Sequence, residues 1–217
     1  NSNKSNPWDH SVTDEIISLR NQHAKHFKNA DGTNTMFTSP SSLHYKQDEQ
    51  WKEIDVNITP NTSDSKQEFP YCNTANQFTT YFPANPFSGN IMTRLKEGNV
   101  NEHVEAVFVI DAQGNKVYTY PASSNPLTSL HESQIMYQDA FTGMDIRYTQ
   151  EADGRKFDLI LNDKSCLQVL PSNASMLVIQ EKLSLPVGWT ISSGEHGIDI
   201  YAGKQWMANL PSPIAFE

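Results

Sequence analysis

Residues 136–161 read MYQDAFTGMDIRYTQEADGRKFDLIL, and this stretch decides the fold class. Met144, Ile146 and Tyr148 alternate with Asp145, Arg147 and Thr149, the run breaks at Glu151-Ala152-Asp153-Gly154, and Phe157, Leu159 and Leu161 resume the alternation. A period of two sends successive side chains to opposite faces, so one set lies in a core and the other in water. The segment reads as a β-hairpin whose apolar face must pack on a second layer. No position in it calls for a catalytic explanation.

The same pattern recurs on both sides. Residues 43–45 and 51–58 flank the polar turn 46–50, and residues 104–110 and 116–120 flank Asp111-Ala112-Gln113-Gly114, where Gly114 supplies the positive φ of a tight turn. Further strands are expected at 33–38, 77–82, 91–95, 134–137, 167–170, 176–181, 197–201 and 204–210. One short helix is expected at 14–20 with Thr13 as its N-cap, although Glu15-Ile16-Ile17-Ser18-Leu19 suits an extended arm equally. The expected fold is all-β, a mostly antiparallel β-sandwich or multi-sheet β domain built from hairpins. Residues 1–19 form a polar leader with a short helix or arm, and residues 20–217 form one β-rich module of two closely packed sheets or subdomains.

Composition narrows the partners. The 217 residues carry a formal net charge of −9, and the basic side chains are scattered, so a phosphate backbone would meet net repulsion. Nucleic acid is not an expected partner. No apolar run approaches the roughly 18 residues of a membrane span, so membrane insertion is not expected either. The opening NSNKSNP lacks Met and reads as a polar leader of the kind left when a signal peptide is cut off or a chain is trimmed, the first of which points to export; the ending NLPSPIAFE has no polar tail, which points to a module of a longer protein.

The chemistry-bearing residues are sparse. Cys72 and Cys166 are the only cysteines. They either close one disulfide, which by chain entropy stabilises by about 4 kcal/mol, or stay as two buried thiols acting as small hydrophobes. His23 and His26 have a spacing that serves a metal on a helix but sends the rings to opposite faces of a strand, so no metal and no cofactor are assigned. HExxH, GxSxG, Walker and CxxC patterns are absent from the sequence. Asp139, Asp145, Asp153, Asp158 and Asp163 crowd the central hairpin. Paired carboxylates serve glycoside hydrolysis or calcium, but on alternating strands these acids are better read as the water-facing complement of the apolar set. No catalytic residue is assigned. Flat aromatic rings stack on sugars, and among Trp51, Tyr81, Tyr118, Tyr120, Trp189 and Trp206 the candidate is Trp51, because it shares the parity of Glu53 and Asp55.

Residues 43–46 (LHYK) followed by 50–55 (QWKEID) resemble the opening of N-terminal β-rich regions of large secreted bacterial proteins, including Bacteroidetes surface proteins and wall-associated or RHS-like proteins. Residues 137–148 (YQDAFTGMDIRY), 153–156 (DGRK) and 159–161 (LIL) are similar to a later segment of those regions, and 185–188 (LPVG) and 210–213 (LPSP) follow in order. The resemblance spans residues 20–217. It implies a non-catalytic β module of an exported or cell-surface bacterial protein, with a structural, adhesive or domain-presenting role and downstream domains of the same polypeptide as partners. A carbohydrate-binding or carbohydrate-active module is the alternative, with a glycan or a surface protein as the partner. The expected location is secreted or cell-surface.

Overall fold

The computed structural model describes residues 12–194 and 196–215. It is 54% strand and 5% helix, with several antiparallel sheets and no closed barrel. The expected all-β, hairpin-built fold is the observed one. Residues 1–11 of the leader lie outside the described residues.

The long strand β10 (Gly98–Ile110) is the spine of the larger sheet. One edge pairs along residues 101–110 with β16 (Met176–Ser184). The other edge is shared by β9 (Ile91–Leu95), which pairs with residues 98–102, and β11 (Lys116–Thr119), which pairs with residues 108–110. Outward from β9 follow β8 (Thr79–Phe82), β7 (Tyr71–Asn73) and β6 (Thr59–Pro60), completing seven strands. The second sheet is the meander β12 (Leu127–His131), β13 (Gln134–Phe141), β14 (Met144–Gln150) and β15 (Arg155–Leu161).

These two sheets face each other across the main core. Phe82, Ile91, Val104, Val107 and Val109 from the larger sheet meet Ile135, Tyr137, Phe141, Met144, Ile146 and Tyr148 from the smaller. The parity read from the sequence holds at the centre, where Met144 and Ile146 are 0% exposed. The partner strand is less deeply covered: Phe157 and Leu159 are half-buried, and Leu161 is exposed. Register irregularities shift the alternation in β10 and β13. In β10 the register steps between Val104 and Ala106, so Val100 and Val104 point inward before the step and Val107 and Val109 after it. In β13 the step falls between Tyr137 and Phe141, where Asp139 takes φ +48. The tight turn into β14 uses Gly143 at φ +74, and a Cβ there would lie 2.9 Å from the Cys166 Cβ.

Three smaller units flank the sandwich. Strands β1 (Val12–Glu15), β2 (Ala24–Asn29) and β3 (Asn34–Thr38) form one meander; β4 (His44–Gln47) and β5 (Gln50–Glu53) form a hairpin; and β17 (Trp189–Gly194), β18 (Gly197–Ala202) and β19 (Gln205–Pro211) form another meander. The β4–β5 turn is tighter than the sequence suggested, since Asp48 and Glu49 alone occupy it, both at positive φ.

Three local expectations need correction. Residues 14–20 are not a helix: β1 ends at Glu15 and a single 3-10 turn, Ile17–Leu19, follows. Their isoleucines give too little helical pattern to outweigh pairing of β1 with β2. Residues 167–170 are not a strand. Asp163 accepts the Ser165 backbone N–H and opens the short helix α1 (Ser165–Gln168), which turns Cys166 inward. The strand expected over 51–58 stops at Glu53, because Asp55 N–H donates to Ala75 O at 2.9 Å and Ile58 N–H to Glu132 O at 2.8 Å. Those bonds carry Ile58 out of the hairpin into the main core.

Candidate functional site

Charged side chains converge where the first meander meets the β4–β5 hairpin. His44 and Glu53 are directly paired across the hairpin, so their side chains share a face. Glu15 comes from the end of β1, Arg20 follows the 3-10 turn, and Lys25 lies on β2. Backbone bonds lock the two units together, with Leu43 N–H donating to Gln22 O at 2.7 Å and His44 N–H to the same oxygen at 3.3 Å. The His44 ring is enclosed, its side chain 0% exposed. Its Nδ1 is 2.7 Å from Asn21 O, a contact that requires Nδ1 to carry the proton and leaves Nε2 as a lone pair in the neutral ring. Nε2 has no hydrogen-bond partner and stands 3.9 Å from Glu15 Oε1.

The carboxylates beside it are held by two cations. Arg20 grips Glu15 with both limbs, Nε to Oε1 at 2.7 Å and Nη2 to Oε2 at 2.5 Å. This contact and the charge of Arg20 lower the Glu15 pKa below the ordinary carboxylate range, with Lys25 adding to the effect. Lys25 hydrogen-bonds Glu53 Oε1 and lowers the Glu53 pKa in the same way. One ligand atom each from Glu15, His44 and Glu53 lies within 4.8 Å of the others.

A second polar cluster sits inside the sandwich. Glu102 shares the inner parity of Val100 and Val104, and Glu181 is paired directly with Val104. From the opposite sheet Arg155 reaches them, its Nη2 2.5 Å from Glu102 Oε2 and its Nη1 3.0 Å from Thr93 Oγ1. The guanidinium carbon lies 5.3 Å from the centre of the Tyr148 ring. Desolvation pushes the Tyr148 phenol far above its ordinary value, and the neighbouring Glu181 adds to the shift. Although Glu181 is exposed as a residue, crowding around its carboxyl and the charge of Glu102 raise its pKa. The Oγ1 of Thr80, the phenol of Tyr148 and the Oε1 of Gln150 are buried beside this cluster without protein hydrogen bonds. Arg155 acts as a clasp between the sheets.

The residues singled out from sequence do not assemble with one another. Trp51 is half-buried on β5, with Lys46 Nζ 5.5 Å from the centre of its ring. Cys72 and Cys166 are free thiols rather than a disulfide. They are buried in separate apolar clusters, Cys72 with Phe69, Tyr81 and Met92, and Cys166 in the main core. Desolvation raises both thiol pKa values. His23 is exposed just before β2, and His26 is half-buried within it.

The aspartates of the central hairpin are more than a solvated face. Asp145 Oδ1 accepts the Asp139 N–H at 2.7 Å and the Asn162 amide at 3.0 Å, which secures the irregularity in β13. Asp158 pairs across the strands with Arg147 at 2.9 Å. Asp153 accepts the Ser42 N–H at 3.0 Å and so joins the small hairpin to the sandwich.

Two open grooves mark the described surface. One, of about 200 Å³, runs between Val109, Leu170 and Met176 and has no titratable lining; the other, of about 360 Å³, lies along Pro121, Ala122 and Thr142 with Asp139 as its one carboxylate. No protein-family model, curated protein or solved structure matches the chain.

The signal for the Glu15–His44–Glu53 group was half present in the sequence. Locating the turn at Asp48-Glu49 makes His44 the partner of Glu53, but nothing local brings Glu15 beside them.

Proposed function

We propose that this chain is a non-catalytic β module of an exported or cell-surface bacterial protein, acting as a structural or adhesive unit that presents neighbouring domains of its polypeptide. The observation that carries the reading is the disposition of its polar groups. Acid/base catalysis needs two titratable groups converging on one substrate bond at an accessible place. Here Glu102, Arg155 and Tyr148 are closed between two sheets, the Glu15 and Glu53 carboxylates are each held by a cation, Arg20 or Lys25, beside the enclosed His44 ring, and neither groove joins two titratable side chains. The resemblance of residues 43–55 and 137–161 to secreted bacterial proteins supports the location. Among the described residues no helix is long and apolar enough to cross a membrane.

The test is turnover on glycoside and peptide panels together with protease shaving of intact cells. The expected result is no turnover and cleavage from the outside. Hydrolysis abolished by Glu102→Gln or Glu181→Gln would overturn the non-catalytic reading.

A sugar-binding role is the second reading, and the partly exposed ring of Trp51 favours it. A glycan array decides between the two: binding that Trp51→Ala abolishes replaces the structural reading with the carbohydrate-binding one.

A further inference from the structure

We propose that Glu15, His44 and Glu53 form a divalent transition-metal site, suited to Zn²⁺, that fastens the first meander to the β4–β5 hairpin. Three observations meet at this point. The first is geometric: one imidazole nitrogen and two carboxylate oxygens lie within 4.8 Å of one another. Tetrahedral zinc with nitrogen and oxygen ligands places them about 3.4 Å apart, so side-chain rotation of about an ångström closes the set. Water supplies the fourth position.

The second observation is the state of His44. A buried ring nitrogen without a hydrogen-bond partner is costly in a protein interior. Nε2 of His44 is one, with its side chain 0% exposed. Its other nitrogen faces the Asn21 carbonyl at 2.7 Å. That pairing fixes the ring and directs the Nε2 lone pair toward the two acids, as the outer hydrogen bond of a metal-ligating histidine does.

The third observation concerns the cations. Arg20 need not leave: each carboxylate oxygen has two lone-pair directions, so Glu15 Oε1 can accept from Arg20 Nε and still face a metal. Arg20, whose Nη2 also lies 3.6 Å from Glu53 Oε1, then stays hydrogen-bonded to the Glu15 ligand. Lys25 does compete, because its ammonium occupies Glu53 Oε1. Its side chain is 27% exposed and that of Glu53 is 50% exposed, so the ammonium can swing into water as a metal enters. Imidazole with carboxylate suits zinc and its neighbours, while magnesium and calcium favour all-oxygen sets and copper(I) wants thiolate. The site lies on no groove described above, and its consequence is structural: metal would cross-link β1, β4 and β5.

The experiment titrates the chelator-stripped 217-residue chain with Zn²⁺ against a chromophoric chelator, and with Co²⁺ while recording its visible absorption. The expected result is one saturable site and a low-symmetry Co²⁺ spectrum. His44→Ala should weaken binding by about 100-fold or more, and Glu53→Gln, on a half-exposed side chain, should weaken it without unfolding. Lys25→Gln should tighten binding about fivefold by removing the competing ammonium. Should His44→Ala fail to fold, the Glu53 and Lys25 variants decide the matter. No saturable binding, affinity indifferent to Glu53→Gln, or weaker binding in Lys25→Gln would each overturn the proposal.

Discussion

Replacing Arg155 tests the clasp between the two sheets. The guanidinium is surrounded by Glu102 at 2.5 Å, Thr93 at 3.0 Å and the Tyr148 ring at 5.3 Å. The side chains of Arg155 and Glu102 are only 9% and 15% exposed. Arg155→Met keeps most of the aliphatic volume but strands the Glu102 carboxylate, and removing one partner of a buried ion pair costs about 3–5 kcal/mol. Loss of the Thr93 hydrogen bond accounts for about 1 kcal/mol of that cost. Glu102→Met strands the arginine instead, with Glu181 as its remaining acidic neighbour, so its cost lies toward the lower end of the range. The double variant removes both charges and fills the space with apolar atoms, so it should cost less than the sum of the singles. Urea melts at constant m-value give the three free energies, and the expected coupling is about 2 kcal/mol or more. Additivity to within about 0.5 kcal/mol would refute the clasp, since it would mean that the two charges do not depend on each other in the folded state.

The same cluster gives a pH dependence. The folded-state pKa of Glu181 is raised by desolvation and then by Glu102, so between the ordinary carboxylate value and the raised one the native state binds more protons. Stability from this group therefore falls as pH rises through that window, and Glu181→Gln should flatten the slope in pH-dependent melts. Glu15 and Asp158 are shifted the opposite way; their contribution is present above the ordinary carboxylate pKa and is lost as pH falls through their lowered values, so Glu15→Gln should reduce the loss of stability in acid. Ile146→Asp places a charge at a position 0% exposed and should cost several kcal/mol, roughly 4, whereas Asp145→Asn keeps an acceptor for Asp139 and should change stability by under about 1 kcal/mol; equal denaturant midpoints would contradict the facing of β14. Gly143→Ala must hold φ +74 with its Cβ 2.9 Å from that of Cys166, and should cost about 1–3 kcal/mol in thermal melts. Thiol titration should find Cys72 and Cys166 silent in the native protein and both reactive after non-reducing denaturation; a mass lower by two hydrogens would instead reveal a disulfide.

The all-β character, the central hairpin and its buried face were legible in the sequence because alternation is a local property. Each of Met144, Ile146 and Tyr148 declares its side by the identity of its neighbours, and the structure buries all three. The bounds expected for strand 91–95 match the structure as well, although its first two residues, Ile91 and Met92, are both buried. Local grammar failed where polar side chains or partners set the backbone. Asp163 turned 165–168 into a helix, and the charged run of β2 and the polar run of β12 gave too little alternation to read as strands until neighbouring strands supplied their pairing.

The polar clusters belong to the tertiary structure. Glu102 follows a sequence of alternating character that does not say which face is buried, and only the opposing sheet brings Arg155 to it. The aspartates of the central hairpin read as a solvated face because their bonds to Asp139, Asn162 and Ser42 depend on a strand irregularity and on packing between units. His44 and Glu53 become neighbours through a turn of two residues, a step within reach of sequence, but Glu15 joins them only when the first meander docks on the hairpin. Alternation records which side of a strand faces water; it carries no information about which strand will lie opposite, and that is where charges from distant segments come to share one place.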